Sequence, residues 1–209
     1  MKIGLVDSGI GVVPFIKEII KQNKNNDYYL FIDNEYFPYG NKSEKELLDR
    51  LLFIFNYFES YHIDQLLICC NTLSYIYLKY LPKSNFKVAT ILEINLRKNL
   101  PLLTTEYLSK NINSISGREL ASFIEENNII NIIKLIKKID INEIVLSCTH
   151  YPLIKSIFSY YKINAYSFEN ELIQALKDEK GKVIFYLLNK DLPILKKYFS
   201  NLCISLLDD

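Results

Sequence analysis

Ile63-Asp64-Gln65-Leu66-Leu67-Ile68-Cys69-Cys70-Asn71-Thr72 and Ile141-Asn142-Glu143-Ile144-Val145-Leu146-Ser147-Cys148-Thr149-His150 are near copies of one another. Each reads as a short apolar strand that ends in a cysteine, passes through small polar residues and enters a helix. Cys70 and Cys148 therefore stand at equivalent ends of two related half-structures. The repeat predicts an α/β fold of two pseudo-symmetric parallel-sheet domains. If the halves face each other, two thiols meet across one cleft. That layout suits removal of a proton from one face of a carbon and return of a proton to the other.

Outward from the repeat, strands and helices alternate. Lys2 to Val6 reads as a strand, Asp7 to Gly11 as a loop, and Val12 to Ile20 as an amphipathic helix. Tyr28 to Ile32 is the next strand, followed by a turn-rich loop from Asp33 to Asn41. Ser43 and Glu46 have capping-box spacing for a helix running to about Ser60. Gln65 to Ile68 is a strand, Thr72 to Tyr80 a helix and Lys87 to Ile91 a strand. Beyond Leu100, short strands are expected at Pro101 to Leu103 and Glu143 to Leu146. Helices are expected at Glu119 to Glu126, Ile129 to Ile139 and Leu153 to Tyr161. Val183 to Leu187 and Leu202 to Leu207 are further strand candidates. Such βα alternation argues for parallel sheets covered by helices. The repeat places the first domain at residues 1–90 plus about 167–209, and the second at about 91–166.

Composition excludes several classes. The 209 residues carry a formal net charge of +1 and no basic block, which gives no electrostatic case for nucleic acid or an anionic membrane. The four cysteines include the adjacent Cys69 and Cys70, a poor disulfide framework, so reduced thiols in a cytoplasmic setting are expected. The apolar run before Asp7 is too short for a signal-peptide core, and no stretch is long and apolar enough to span a bilayer. Cysteine spacing does not match a structural zinc site, so no metal is expected. Gly9 and Gly11 lack the third glycine of a dinucleotide loop, because Pro14 stands there.

In open α/β sheets, ligands bind beyond the carboxyl ends of the strands. Asp7-Ser8, Pro38 to Asn41, Cys70 to Thr72 and Cys148 to His150 all fall at such ends. A cysteine just before a helix has access to free N–H groups and the positive end of the helix dipole, which lower a thiol pKa. The same N–H groups favour a carboxylate ligand. Ser8, Asn71, Thr72 and Thr149 add side-chain donors. His150 is suited to tune the Cys148 thiol. Asp7 reads either as a carboxylate that assists a thiol or as an Asx-turn residue. Cys69 and Cys203 read as small buried hydrophobes.

Four ordered motifs then carry a resemblance. They are Ile3-Gly4-Leu5-Val6-Asp7-Ser8-Gly9-Ile10-Gly11, Phe37-Pro38-Tyr39-Gly40-Asn41-Lys42-Ser43, Cys70-Asn71-Thr72 and Cys148-Thr149-His150-Tyr151-Pro152-Leu153. Together they resemble the signatures of glutamate racemase, in the cofactor-independent aspartate/glutamate racemase superfamily. Val183 to Tyr186 and the helix around Leu195 to Phe199 add to the likeness. The resemblance implies interconversion of L- and D-glutamate by two thiols with no cofactor, and a supply of D-glutamate for peptidoglycan. It implies Cys70 and Cys148 as the acid/base pair, assisted by Asp7, His150 and Glu125. Ser8, Pro38, Tyr39, Gly40, Asn71, Thr72, Thr105 and Thr149 would line the pocket for a small amino-acid substrate. Family habit also implies a homodimer, and aromatic residues on several faces of two helices (Phe53, Phe55, Tyr57 and Phe58; Tyr75, Tyr77 and Tyr80) agree with an interface. Three features depart from the family pattern. Val12 replaces a glycine, the span from Ile91 to Ile141 is short, and of two pocket threonines only Thr105 has a match, with Leu108 in the place of the second. These departures keep open a racemase for aspartate or another amino acid, and a racemase-like binding protein without catalysis.

Overall fold

The computed structural model describes residues 1–177 and 183–187, and the backbone of a strand at 204–206. Among the described residues, ten strands form two parallel sheets: β1 (Lys2–Asp7), β2 (Asp27–Ile32), β3 (Gln65–Ile68), β4 (Lys87–Thr90), β5 (Leu102–Thr104), β6 (Ile115–Ser116), β7 (Glu143–Ser147), β8 (Asn164–Tyr166), β9 (Ile184–Leu187) and β10 (Ile204–Leu206). The first sheet has the order β10-β9-β2-β1-β3-β4 and the second β6-β5-β7-β8. Every pairing in both is parallel.

In both sheets the chain steps to one side and then returns across its starting strand. β2 lies on one side of β1 and β3 on the other; β6 lies on one side of β5 and β7 on the other. Such a reversal opens a crevice at the carboxyl ends of the two strands that flank it. Asp7 and Cys70 stand at the first reversal, Thr105 and Cys148 at the second. The two-sheet α/β architecture read from the cysteine repeat is borne out.

The helices are α1 (Val13–Lys21), α2 (Glu44–Ser60), α3 (Asn71–Tyr80), α4 (Ile91–Leu96), α5 (Glu106–Ser109), α6 (Leu120–Glu125), α7 (Ile129–Ile136), α8 (Lys155–Tyr160) and α9 (Glu169–Gln174). The larger sheet is buried on both faces. Ile3, Leu5, Tyr28 and Leu30 pack on one face with Phe15, Ile16 and Ile19 of α1 and Leu172 of α9. Val6, Leu66 and Ile68 pack on the other with Leu47, Leu51, Phe55 and Phe58 of α2. A separate core around Leu103, Ile144 and Leu146 gathers Leu120, Ile132 and Phe158 from the helices over the second sheet. Continuous apolar runs with no polar side suit strands covered on both faces. Cys69 is fully buried in the first core, as a small hydrophobe would be. Cys203 and the segment from Leu195 to Phe199 lie outside the described residues.

Several elements differ from the sequence-based expectations. α4, α5, β8 and α9 have no counterpart there, and β6 falls in a stretch, Ile112 to Ser116, whose sequence pattern is ambiguous. A Thr90-x-x-Glu93 signal announces α4: the Thr90 hydroxyl accepts from Glu93 N at 3.3 Å and donates to the Glu93 carboxylate at 3.0 Å. β8 and α9 are too short for a periodic pattern to emerge. The expected helix from Leu153 is broken in two: Tyr151–Ile154 is a 3₁₀ turn with Pro152 near its start, and α8 begins only at Lys155. The loop after β2 holds two 3₁₀ turns, Asn34–Tyr36 and Tyr39–Asn41. Of the aromatic residues in α2, Phe55 and Phe58 are buried, while Phe53 is 48% exposed. Phe53 stacks on Tyr57 and lies under Arg50. No helix among the described residues is long and apolar enough to cross a membrane.

The capping box at the start of α2 forms as expected. Glu46 N donates to Ser43 Oγ at 3.3 Å, and Ser43 N donates to the Glu46 carboxylate at 2.8 Å. Replacing Ser43 by alanine removes a cap, typically worth about 1 kcal/mol. Urea unfolding of Ser43→Ala is expected to show a loss of that size with an unchanged dependence on denaturant.

Candidate active site

A small cavity lies between the carboxyl ends of the two sheets. Its walls are Ser8, Phe37, Pro38, Tyr39, Gly40, Cys70, Asn71, Thr72, Thr105, Ala121, Cys148, Thr149 and His150. A roomier opening, bordered by Pro14, Lys17, Ile129 and Glu169, holds none of these residues. The reactive side chains converge on the smaller space, which is therefore the candidate site. Of the expected residues, Asp7 and Glu125 stand one layer behind the wall. Phe37 and Ala121 are additions. Phe37 could have been anticipated from its place beside Pro38; Ala121 carries no signal of chemistry.

Each wall segment is held in place by a specific contact. Asp7 ends β1 fully buried. Its Oδ1 accepts from Gly9 N at 3.1 Å, and its Oδ2 accepts from the Thr149 hydroxyl at 2.9 Å. The bond from Gly9 N, two residues on, is the one that the Asx-turn reading of Asp7 expects. The Thr149 bond crosses from one sheet to the other. Gly11 makes it possible, since a Cβ at that position would fall 2.1 Å from Thr149 Oγ1 and 2.7 Å from Asp7 Oδ1.

Thr105 caps α5 and lies 3.2 Å, hydroxyl to hydroxyl, from Thr72 at the start of α3. Tyr39 is fixed from behind. Its hydroxyl donates to Asp33 at 2.5 Å, and Arg50 grips the same carboxylate at 2.6 and 2.7 Å. Burial first, and then the Asp33 charge, push the Tyr39 phenol well above its usual range, so it remains a donor. Neither Asp33 nor Arg50 carries a sequence signal, since one opens the loop after β2 and the other sits mid-helix without a motif.

The two cysteines have different surroundings. Cys70 precedes α3, and backbone N–H groups of Leu73 and Thr72 act to lower its pKa. Burial and the nearby Asp7 charge outweigh them, so the Cys70 thiol is pushed well above the ordinary range. The expectation that the helix start would lower this pKa is corrected: two amide contacts do not offset removal from water beside a carboxylate. Cys148 instead has His150 as a neighbour. His150 Nε2 is 2.8 Å from Glu125 Oε1, and its ring lies on Phe37 with centroids 5.3 Å apart. Burial alone would lower the imidazole pKa. Contacts with Cys148 and Glu125 and the Asp7 charge reverse that and raise it to about 10. Glu125 also accepts from Ile10 N at 3.2 Å, which fastens α6 to the loop after β1. Asp7 is raised to about 6, chiefly by burial, against the lowering effects of His150 and Thr149. Near neutrality the cavity therefore holds an imidazolium beside Cys148 and a protonated thiol at Cys70.

Two parallel α/β units each present a cysteine, at the reversal of strand order, to one cavity between them. No known protein-family model matches the chain. The chain is similar to the glutamate racemase of Fusobacterium nucleatum, at 29% identity over 88% of this chain and 88% of that one. It is similar also to the glutamate racemase of Aliarcobacter butzleri, at 29% identity over 74% of this chain and 73% of that one. Among solved structures, glutamate racemase from Campylobacter jejuni superposes with a TM-score of 0.77 at 23% identity, over 96% of this chain and 98% of that one. The resemblance drawn from the four motifs is borne out, and the fold is that of the glutamate racemases.

Two outcomes follow from this geometry. Gly11→Ala would force Thr149 off Asp7, an overpacking defect of about 1–3 kcal/mol, and thermal melting is expected to fall accordingly. The second concerns pH. His150 binds its proton more tightly in the folded chain (about 10) than at its ordinary value of 6.5. Its stabilising contribution is therefore complete below about 6.5, declines as pH rises and is gone above about 10. Asp7 acts in the same direction at lower pH, its contribution being lost between 3.8 and about 6. Unfolding free energies are expected to fall more steeply from about pH 6.5 to pH 8.5 in the wild type than in His150→Gln, over the window defined by the His150 shift.

Proposed function

We propose that this chain is a glutamate racemase that interconverts L- and D-glutamate by a two-thiol mechanism without a cofactor. One observation carries the reading: Cys70 and Cys148, at matching strand ends of the two units, wall the same cavity. Similarity to curated glutamate racemases supports glutamate as the substrate.

The chemistry follows from the surroundings. The Cα–H of an amino acid is very weakly acidic, so the developing carbanion needs a dry site and donors aimed at the carboxylate. Ser8 and Thr72 supply hydroxyl donors and Asn71 an amide donor around the cavity, while the Thr149 hydroxyl is already given to Asp7. One cysteine, as thiolate, takes the Cα proton. The other, as thiol, delivers a proton to the opposite face. For the reverse reaction the roles exchange. Asp7 is placed to influence Cys70, and the His150–Glu125 pair to supply charge and a proton beside Cys148. Pro38, Tyr39, Gly40 and Thr105 complete the wall. In this reading the product D-glutamate feeds peptidoglycan synthesis, the protein works in the cytoplasm, and it assembles as a homodimer. The domain division at residues 1–90 plus about 167–209, and about 91–166, assigns Cys70 to one unit and Cys148 to the other.

The test is direct. Purified protein is expected to racemise L-glutamate, followed by circular dichroism, and to exchange the Cα proton in D₂O. Cys70→Ser and Cys148→Ser should each lower the rate at least about 10²–10⁴-fold, the usual scale for losing a positioned acid or base. A double variant that racemised glutamate at the wild-type rate would refute the mechanism. Activity confined to aspartate would replace the substrate assignment, and a folded protein with no Cα exchange would leave a binding role.

A further inference from the structure

Asn71 opens α3 directly after Cys70, and Ser147 ends β7 directly before Cys148. Asn95 reaches them from α4. The three side chains, all buried, close a triangle between the two units. Asn95 Nδ2 donates to Asn71 Oδ1 at 2.9 Å and to Ser147 Oγ at 3.2 Å, and Ser147 Oγ donates to Asn71 Oδ1 at 2.9 Å. Both acceptor positions of the Asn71 amide oxygen are thereby occupied. Its Nδ2 has no hydrogen-bond partner among the described residues, and Asn71 forms part of the cavity wall. An amide held in this way cannot turn over without setting its own NH₂ against that of Asn95.

We infer that Asn95 and Ser147 are positioning residues that lock the Asn71 amide with its NH₂ toward the cavity, so that the site meets a substrate carboxylate with a donor. This rests on the proposed reading of the cavity as an amino-acid site. A second observation points the same way. Asn95 Oδ1 is buried with no hydrogen-bond partner. An unpaired buried acceptor lowers stability, and an apolar residue at this position would avoid that loss. What an amide at position 95 does provide is its donor, and that donor is spent on Asn71 and Ser147. Asn95 and Ser147 are not among the residues that line the cavity, so their effect on a ligand passes through Asn71.

The experiment compares glutamate affinity, by titration calorimetry, in the wild type, Asn95→Leu, Ser147→Ala and the double variant, with thermal melting alongside. Each single substitution leaves one anchor and is expected to weaken binding about threefold. The double leaves none and should weaken it about tenfold or more, the scale of one hydrogen bond to a charged group. KM should rise more than kcat falls, while Asn95→Leu melts no lower than the wild type. Unchanged or tighter binding in the double variant overturns the inference, since tighter binding would mean that the anchored amide presents its oxygen. Affinity lost only in step with folded protein also overturns it, by making the role purely structural. If the double variant does not fold, the singles decide, and wild-type affinity in both overturns the inference. A wild type that binds glutamate without racemising it refutes the proposed activity and leaves the affinities to judge the positioning role; a wild type that does not bind glutamate overturns both.

Discussion

The buried bond from the Thr149 hydroxyl to Asp7 is the contact on which the site depends. It joins the end of β1, the central strand of one sheet, to the residue after Cys148 in the other. Each unit alone would leave its cysteine on an open edge. Pinned together by this bond, by the Asn71–Asn95–Ser147 triangle and by Glu125 on the loop after β1, the two edges enclose a small space. Buried polar groups demand partners, and here the partners are supplied across the gap. The cost of opening the cleft is thus written into the same residues that would act within it. Gly11 permits the contact by offering no Cβ where Thr149 must approach.

Electrostatics divides the two thiols despite their matching backbone positions. Cys70 has a carboxylate for a neighbour, and burial pushes its thiol up. Cys148 has a cationic imidazole, itself held by Glu125. A pair in which one member is poised to give a proton and the other sits beside a positive charge is a natural starting state for transfer across a carbon. The asymmetry arises because the neighbours of the two strand ends differ: β1 delivers Asp7 beside one, and the chain after β7 delivers His150 beside the other.

The scaffold is uneven in the same way. The larger sheet has a core on each face, with α1 and α9 on one side and α2 and α3 on the other. The second sheet is built on fewer strands and a single core. Asp33, Arg50 and Tyr39 carry the rigidity of the larger unit to the cavity wall through a bidentate ion pair and one hydrogen bond. The wall on that side is consequently fixed by charge-assisted contacts. On the other side Thr105 holds it mainly as a helix cap and a hydroxyl neighbour of Thr72.

The near-copy at residues 63–72 and 141–150 determined by itself the strand–cysteine–helix units, the parallel α/β class and the pairing of Cys70 with Cys148, because local periodicity and capping act over a few residues. The Ser43 capping box and the bounds of β3 were legible for the same reason. Short elements such as β8 and α9 were not, since three to six residues hold too little pattern and tertiary pairing stabilises them. Thr90-x-x-Glu93 was a readable signal for α4 that the surrounding apolar residues obscured. Only the tertiary structure decided that Asp33 and Arg50 stand behind Tyr39, and that Asn95 meets Asn71 and Ser147. The direction of the Cys70 shift was likewise settled there. Helix-start chemistry is local and argues for a lowered pKa, whereas burial and the field of Asp7 depend on what folds over the thiol, and these proved the stronger.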